Sequence, residues 1–208
     1  MIKENDMKKG LMIVVSGPAG SGKGTVNAHL LETDDFVYSV SATTRAPRPG
    51  EIDGVNYHFI SREEFLARID SGDMLEYTEY CGNFYGTPRK EAEEVLASGK
   101  NLILEIEVEG ARNVKKKFPD AVLILLLPPS FAVQEARLRG RGTETEEKVL
   151  ARLARTKEEI AEADFYDYVV YNHDGCDLDA AEDILAIIRA EHRAMRRNPN
   201  MATSYFDC

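Results

Sequence analysis

The chain has 208 residues, enough to bury a proper hydrophobic core in one sizeable domain or in a core carrying a small insertion. Apolar content of 43% and charged content of 30% are ordinary for a globular protein, and a formal net charge of −10 excludes general gripping of nucleic acid through a basic face. Cys81, Cys176 and Cys208 show neither a disulfide framework nor zinc spacing, and no run reaches the roughly 18 apolar residues of a membrane span, so a cytoplasmic protein without membrane partners is expected.

The first predicted elements lie in residues 11–25, LMIVVSGPAGSGKGT. Leu11 to Val15 is a short, β-branched run, as expected for a strand buried on both faces. The glycine-rich turn that follows lets successive backbone N–H groups wrap an anion, and the next helix aims its positive end at the same point. Lys23 adds a mobile charge. The spacing of Gly17, Gly22 and Lys23 fits a phosphate-binding P-loop, although Gly24 stands where the strict pattern has Ser or Thr, and Thr25 comes one step later.

A helix is predicted to Leu31 and a second strand from Phe36 to Val40. The loop 41–51 places Arg45 and Arg48 among hydroxyl residues, a pattern suited either to a second anion site or to a solvated turn. Gly54 to Ile60 alternates like a strand, Ser61 and Glu64 form a capping box for a short helix, and Met74 to Tyr80 returns through 84–86. Residues 42–86 therefore read as a small inserted antiparallel sheet, after which Thr87-Pro88 is expected to cap a helix reaching about Ala97. Strands follow at 102–108, 121–127 and 168–171, and helices at 111–118, 131–138, 145–163 and 178–195, with no pattern from Arg197 onward. Such alternation predicts an α/β fold with a parallel sheet between helices. Its site should lie at the carboxyl ends of the strands, where 17–24, 41–51, 105–109 and 128–130 meet.

Five stretches carry a resemblance beyond pattern: the cradle beginning Ser16-Gly17-Pro18, SATTRAPRPGE at 41–51, GVNYHF at 54–59, LEYTEYCGNFYGTP at 75–88 and GRGTETEE at 140–147. Their order and spacing, from about Gly10 to about Arg189, resemble guanylate kinase. The resemblance implies phosphoryl transfer from ATP to GMP, and to dGMP, with Mg²⁺ arriving on ATP. It also implies a P-loop core (1–41, 88–136 and 158–208), an inserted mixed β/α GMP-binding domain (42–87) and a mobile lid (137–157).

Residue by residue, the resemblance assigns ATP binding to Gly17, Pro18, Ala19, Gly20, Ser21, Gly22, Lys23, Gly24, Thr25 and, near the adenosine, Asn172. GMP binding falls to Ser41, Arg45, Arg48, Tyr57, Glu76, Tyr85, Thr87 and Glu107, and catalysis to Lys23, Arg45, Arg137, Arg141 and Arg152. Glu76 would accept from the guanine N1–H and 2-amino groups, whereas adenine would face that carboxylate with a lone pair. Gly24 departs from the family's hydroxyl, which implies magnesium held through water and nucleotide rather than directly by protein. Glu105 and Glu107 stand where the family has aspartates, and Glu109 where it commonly has glutamine; one methylene advances a carboxylate by roughly 1.5 Å. Two other readings stay open, a guanylate kinase-like binding module without catalysis and a kinase of another small phosphate ester. Assembly as a homo-oligomer is open as well.

Overall fold

A computed structural model describes residues 9–80, 82–140 and 145–206. Strand β1 (Met12–Ser16) is buried throughout and runs through the glycine turn into helix α1 (Lys23–Leu30). Strand β2 (Phe36–Tyr38) leads to a second, smaller sheet containing β3 (Ala42–Thr43), β4 (His58–Phe59), helix α2 (Arg62–Asp70), β5 (Met74–Tyr80) and β6 (Asn83–Pro88). The chain then alternates: α3 (Arg89–Ala97), β7 (Asn101–Glu105), α4 (Val108–Lys117), β8 (Val122–Leu127), α5 (Phe131–Gly140), α6 (Glu146–Ala161), β9 (Tyr168–Tyr171) and α7 (Asp177–Arg193). A short helix, α8 (Met201–Phe206), follows.

The expected α/β architecture is present. The main sheet has the order β2-β7-β1-β8-β9 with every pair parallel. Successive side chains of a strand face opposite ways, and both faces here are covered. Ile13, Val15, Ile103, Ile124 and Leu126 pack with Val26 and Leu30 of α1 and Ala181, Ile184 and Ile188 of α7. Met12, Val14, Leu102, Leu104 and Leu123 pack with Ala92 and Leu96 of α3 and Ala111 and Val114 of α4. Doubly covered strands can be hydrophobic without alternation, which is why β1 and β8 read as continuous apolar runs.

The second sheet has the order β4-β3-β6-β5, and its small core stacks Phe65 of α2 on Phe84 at 5.2 Å between ring centroids. It is mixed rather than wholly antiparallel, because β3 and β4 pair in parallel. Only His58 and Phe59 of the expected strand 54–60 pair within the sheet. Before them Gly54 turns at φ 74° and the Asn56 carboxamide accepts from the Ile52 N–H, which holds the segment as a turn.

Thr87 does not cap α3. Its side chain points to Glu76 instead, and the helix starts at Arg89 behind Pro88 without a side-chain cap. Ser61 and Ser130 do cap their helices, accepting from Glu64 and Val133 N–H groups. Past Arg193 the chain stays ordered where no pattern was read: Glu191, 2% exposed on α7, is gripped by Arg196 and by Arg197, and Arg197 also donates to the Asp120 carbonyl at 2.7 Å. Among the described residues no helix is long and apolar enough to cross a membrane.

Ile13 is fully buried in the central strand between β7 and β8. Ile13→Ala should therefore cost about 2–5 kcal/mol, read as a lower denaturant midpoint with an unchanged slope.

Candidate active site

The glycine loop begins where β1 ends. A Cβ on Gly17 would lie 2.1 Å from the Leu126 carbonyl oxygen, so only glycine lets the chain leave β1 across β8 at this point. Gly22 sits at φ 91°, and a Cβ there would be 2.3 Å from the Asn172 side-chain nitrogen. Lys23 opens α1, and its ammonium donates to the Gly17 carbonyl at 2.7 Å, turned back onto the loop. Ser21 Oγ is buried and has no hydrogen-bond partner among the described residues, which leaves a hydroxyl free inside the loop for an anion.

The loop is braced from behind. The Asn172 amide donates to the Ser21 carbonyl at 2.9 Å, while its backbone N–H donates to Leu127. Asn172 is thus buried beneath the cradle, not displayed over it. Arg137 comes from α5 to the same region, donating to the Asn172 carbonyl at 2.8 Å, to the Gly20 carbonyl at 3.3 Å and to Asp174 at 2.6 Å. Gln134, buried on α5, donates to the Ala19 carbonyl and to the Thr156 hydroxyl of α6. Gly24 and Thr25 are exposed at the start of α1.

Between this loop and the second sheet lies a cleft of about 230 Å³. Its walls bring together Lys23, Ser41, Arg45, Arg48, Tyr57, Glu76, Tyr85, Glu107 and Arg152, residues spread over more than a hundred positions of sequence. Arg137 does not reach this cleft, and Arg141 lies outside the described residues.

Arg45 is clamped by a carboxylate that sequence reasoning did not single out. Its two terminal nitrogens meet Glu51 at 2.9 and 2.8 Å, and Glu51 also accepts from the Arg48 N–H at 2.6 Å. These bonds hold the Glu51 carboxyl down at about 2. The Arg45 guanidinium also lies over the Tyr57 ring at 5.5 Å, and Tyr57 meets Tyr85 edge-on at 6.0 Å. An acid six residues after an arginine in a proline-bounded loop was the available signal.

Glu76 is 1% exposed, and the Thr87 hydroxyl donates to it at 2.9 Å. Burial pushes its carboxyl up to about 7, while the Thr87 bond and the charge of Lys117 pull the other way. Glu105 uses its length to reach back: one oxygen accepts from Asn27 of α1 at 2.9 Å and from the Tyr38 hydroxyl at 3.2 Å. Glu107 is the N-cap residue of α4 and keeps its side chain at the cleft, with no capping bond. The cleft thus joins the glycine loop with Lys23 to a wall carrying Arg45 and Arg48, with one buried acid, Glu76.

Known proteins share this arrangement of sequence. The guanylate kinase family model matches residues 9–191. The chain belongs to the guanylate kinase family. A guanylate kinase of Halalkalibacterium halodurans is 55% identical over 188 residues, covering 90% of this chain and 91% of that one. One from Streptococcus thermophilus is 53% identical over 192 residues, covering 91% of each. Among solved structures, the guanylate kinase of Anaplasma phagocytophilum superposes with a TM-score of 0.75 at 37% identity, covering 91% of this chain and 90% of that chain. As a guanylate kinase the chain is a nucleotide-binding phosphotransferase that phosphorylates GMP.

The cradle of this guanylate kinase depends on Gly22, where a side chain meets both a left-handed backbone and the Asn172 amide. Gly22→Ala should lower stability by about 1–3 kcal/mol from backbone strain. It should weaken ATP binding more than GMP binding, which separate calorimetric titrations of the two nucleotides would resolve.

Proposed function

We propose that this chain transfers the γ-phosphoryl group of ATP to the phosphate of GMP, and of dGMP, using the residues gathered in the cleft. The observation that carries the assignment is one cleft that holds Lys23, the arginine pair Arg45 and Arg48, and the buried acid Glu76. Gly17 to Thr25 would take the donor phosphates, with backbone N–H groups and Ser21 Oγ as donors. Lys23 would exchange the Gly17 carbonyl for a phosphate oxygen as the donor enters.

On the acceptor side Arg45, Arg48, Ser41, Tyr57 and Tyr85 would hold the GMP phosphate, with Glu51 keeping the Arg45 fork oriented. Glu76 would accept from the guanine N1–H and 2-amino groups, while Thr87 fixes the carboxylate and offers its oxygen to O6. The acceptor phosphate oxygen is already anionic near neutral pH, so it attacks the γ-phosphorus without a general base; the bond from γ-phosphorus to the β,γ-bridging oxygen breaks, and ADP leaves. Arg152, from the cleft wall, would stabilise charge on the transferring group, and Arg137 and Arg141 would join it from the lid region 137–157.

Magnesium arriving with ATP would supply charge neutralisation at the donor phosphates held by the glycine loop and Lys23. Gly24 provides no hydroxyl, and among the described residues no group of three or more His, Cys, Asp or Glu is arranged to hold a metal. An ion held by nucleotide and water would have Glu105 and Glu107 as the carboxylates lining the same cleft.

ADP formation measured with GMP, AMP, CMP and UMP as separate acceptors should be strong with GMP alone. No turnover with any acceptor, from folded protein that binds GMP, would leave the binding-module reading. Preferred turnover of a different phosphate ester would leave the third.

A pH series tests the base site. Glu76 must be ionised to receive guanine, and in the free protein its carboxyl sits at about 7. Protonation below that point removes the acceptor, so GMP affinity should weaken as pH falls through 7, approaching about tenfold per pH unit well below it. Calorimetry at pH 6, 7 and 8 should show this slope, and Glu76→Gln should flatten it while narrowing the preference for GMP over AMP.

A further inference from the structure

One carboxylate oxygen in the cleft wall gathers bonds from two separate elements. Glu105 ends β7, pairs with Val15 of β1 and lines the cleft together with Lys23. Its Oε2 accepts from the Asn27 amide at 2.9 Å and from the Tyr38 hydroxyl at 3.2 Å. Asn27 follows Lys23 by one turn of α1, so the two residues share a face of that helix. Tyr38 ends β2 in register with Ile103 of β7, and the chain runs on from it to Ser41 in the cleft wall. The helix that carries Lys23 and the strand that leads to Ser41 are therefore tied to a single carboxylate.

Packing alone does not account for these donors. Asn27 is 1% exposed, and its own Oδ1 has no hydrogen-bond partner among the described residues. A buried carbonyl left so costs stability, which an apolar side chain at that place would avoid. Tyr38 packs against the main core, and burial, with the charge of Glu105, holds its phenol above its ordinary range. It stays a hydroxyl donor wherever the protein works.

We propose that Asn27 and Tyr38 are positioning residues for the transfer step: by fixing Glu105 they set the helix bearing Lys23 against the strand leading to Ser41. The inference rests on the proposed reading of the cleft as the meeting place of ATP and GMP. Transfer is sensitive to misplacements of about 1 Å that binding tolerates. Loosening this junction should therefore slow the chemistry and leave each nucleotide's affinity close to its original value.

The test is single-turnover GDP formation with both nucleotides saturating, beside calorimetric titrations of Mg²⁺-ATP and of GMP. The variants are Tyr38→Phe, Asn27→Ala, Glu105→Ala, and Tyr38→Phe combined with Glu105→Ala. Tyr38→Phe should slow transfer about fourfold and Asn27→Ala about tenfold, with both dissociation constants within about twofold of wild type. Because Tyr38 acts through Glu105, adding Tyr38→Phe to Glu105→Ala should change the rate by less than about 1.5-fold. Tyr38→Phe removes one hydroxyl and keeps the packed ring, so it reports even if Asn27→Ala folds poorly. Transfer at the wild-type rate in Tyr38→Phe would overturn the proposal. So would an equal loss with and without the Glu105 carboxylate, or a loss confined to nucleotide affinity. No GDP from the wild-type protein would instead defeat the underlying reading of the cleft.

Discussion

Parallel register at the centre of the main sheet is the constraint on which the site depends. Ser16 pairs with Leu125 on one side of β1, and Val15 pairs with Glu105 on the other. The backbone then crosses so close to the Leu126 carbonyl that no side chain fits at Gly17. From this one line of pairing, the glycine loop and the Glu105–Glu107 segment leave the sheet side by side. An anion in the loop and a carboxylate after β7 become neighbours because hydrogen bonds deeper in the sheet fix both strand ends.

The acceptor half is built on a different principle, the management of buried charge. Glu76 lies inside the protein with one hydroxyl for company, while Glu51 and Arg45 neutralise each other at the mouth. The first arrangement leaves a buried acid with one hydroxyl donor, and on the proposed reading a guanine edge would supply two more. The second keeps a cationic fork flat and aimed without a ligand to hold it. On the proposed reading, both groups are set in place before substrate arrives, which would keep the cost of reorganisation low.

The main sheet was legible because each of its central strands is a run of apolar residues ended by glycine, proline or a polar turn. Helix boundaries drifted where a cap was expected from residue type alone. Thr87 is well suited to capping, yet its hydroxyl serves Glu76, and tertiary demand outweighed the local option. The strand expected at 54–60 failed for a local reason, since Gly54 and Asn56 made a turn that alternation could not reveal. Within the site, Lys23, the two loop arginines and Glu76 were readable from motifs. Gln134 and Asn27 were not: each sits on a helix, and its partner lies far away in sequence. Asn172 was anticipated near the adenosine, and its side-chain nitrogen donates to the Ser21 carbonyl of the glycine loop.

The latch of Arg196 and Arg197 on Glu191 has a geometric corollary. Arg197 also fastens to the Asp120 carbonyl, just ahead of β8 and so at the amino-terminal rim of the sheet. The cleft lies at the opposite rim. A fluorophore or bead attached beside Arg197 would therefore stand about a strand length from the cleft, and a molecule held to a surface at that rim would present the cleft outward to the solution.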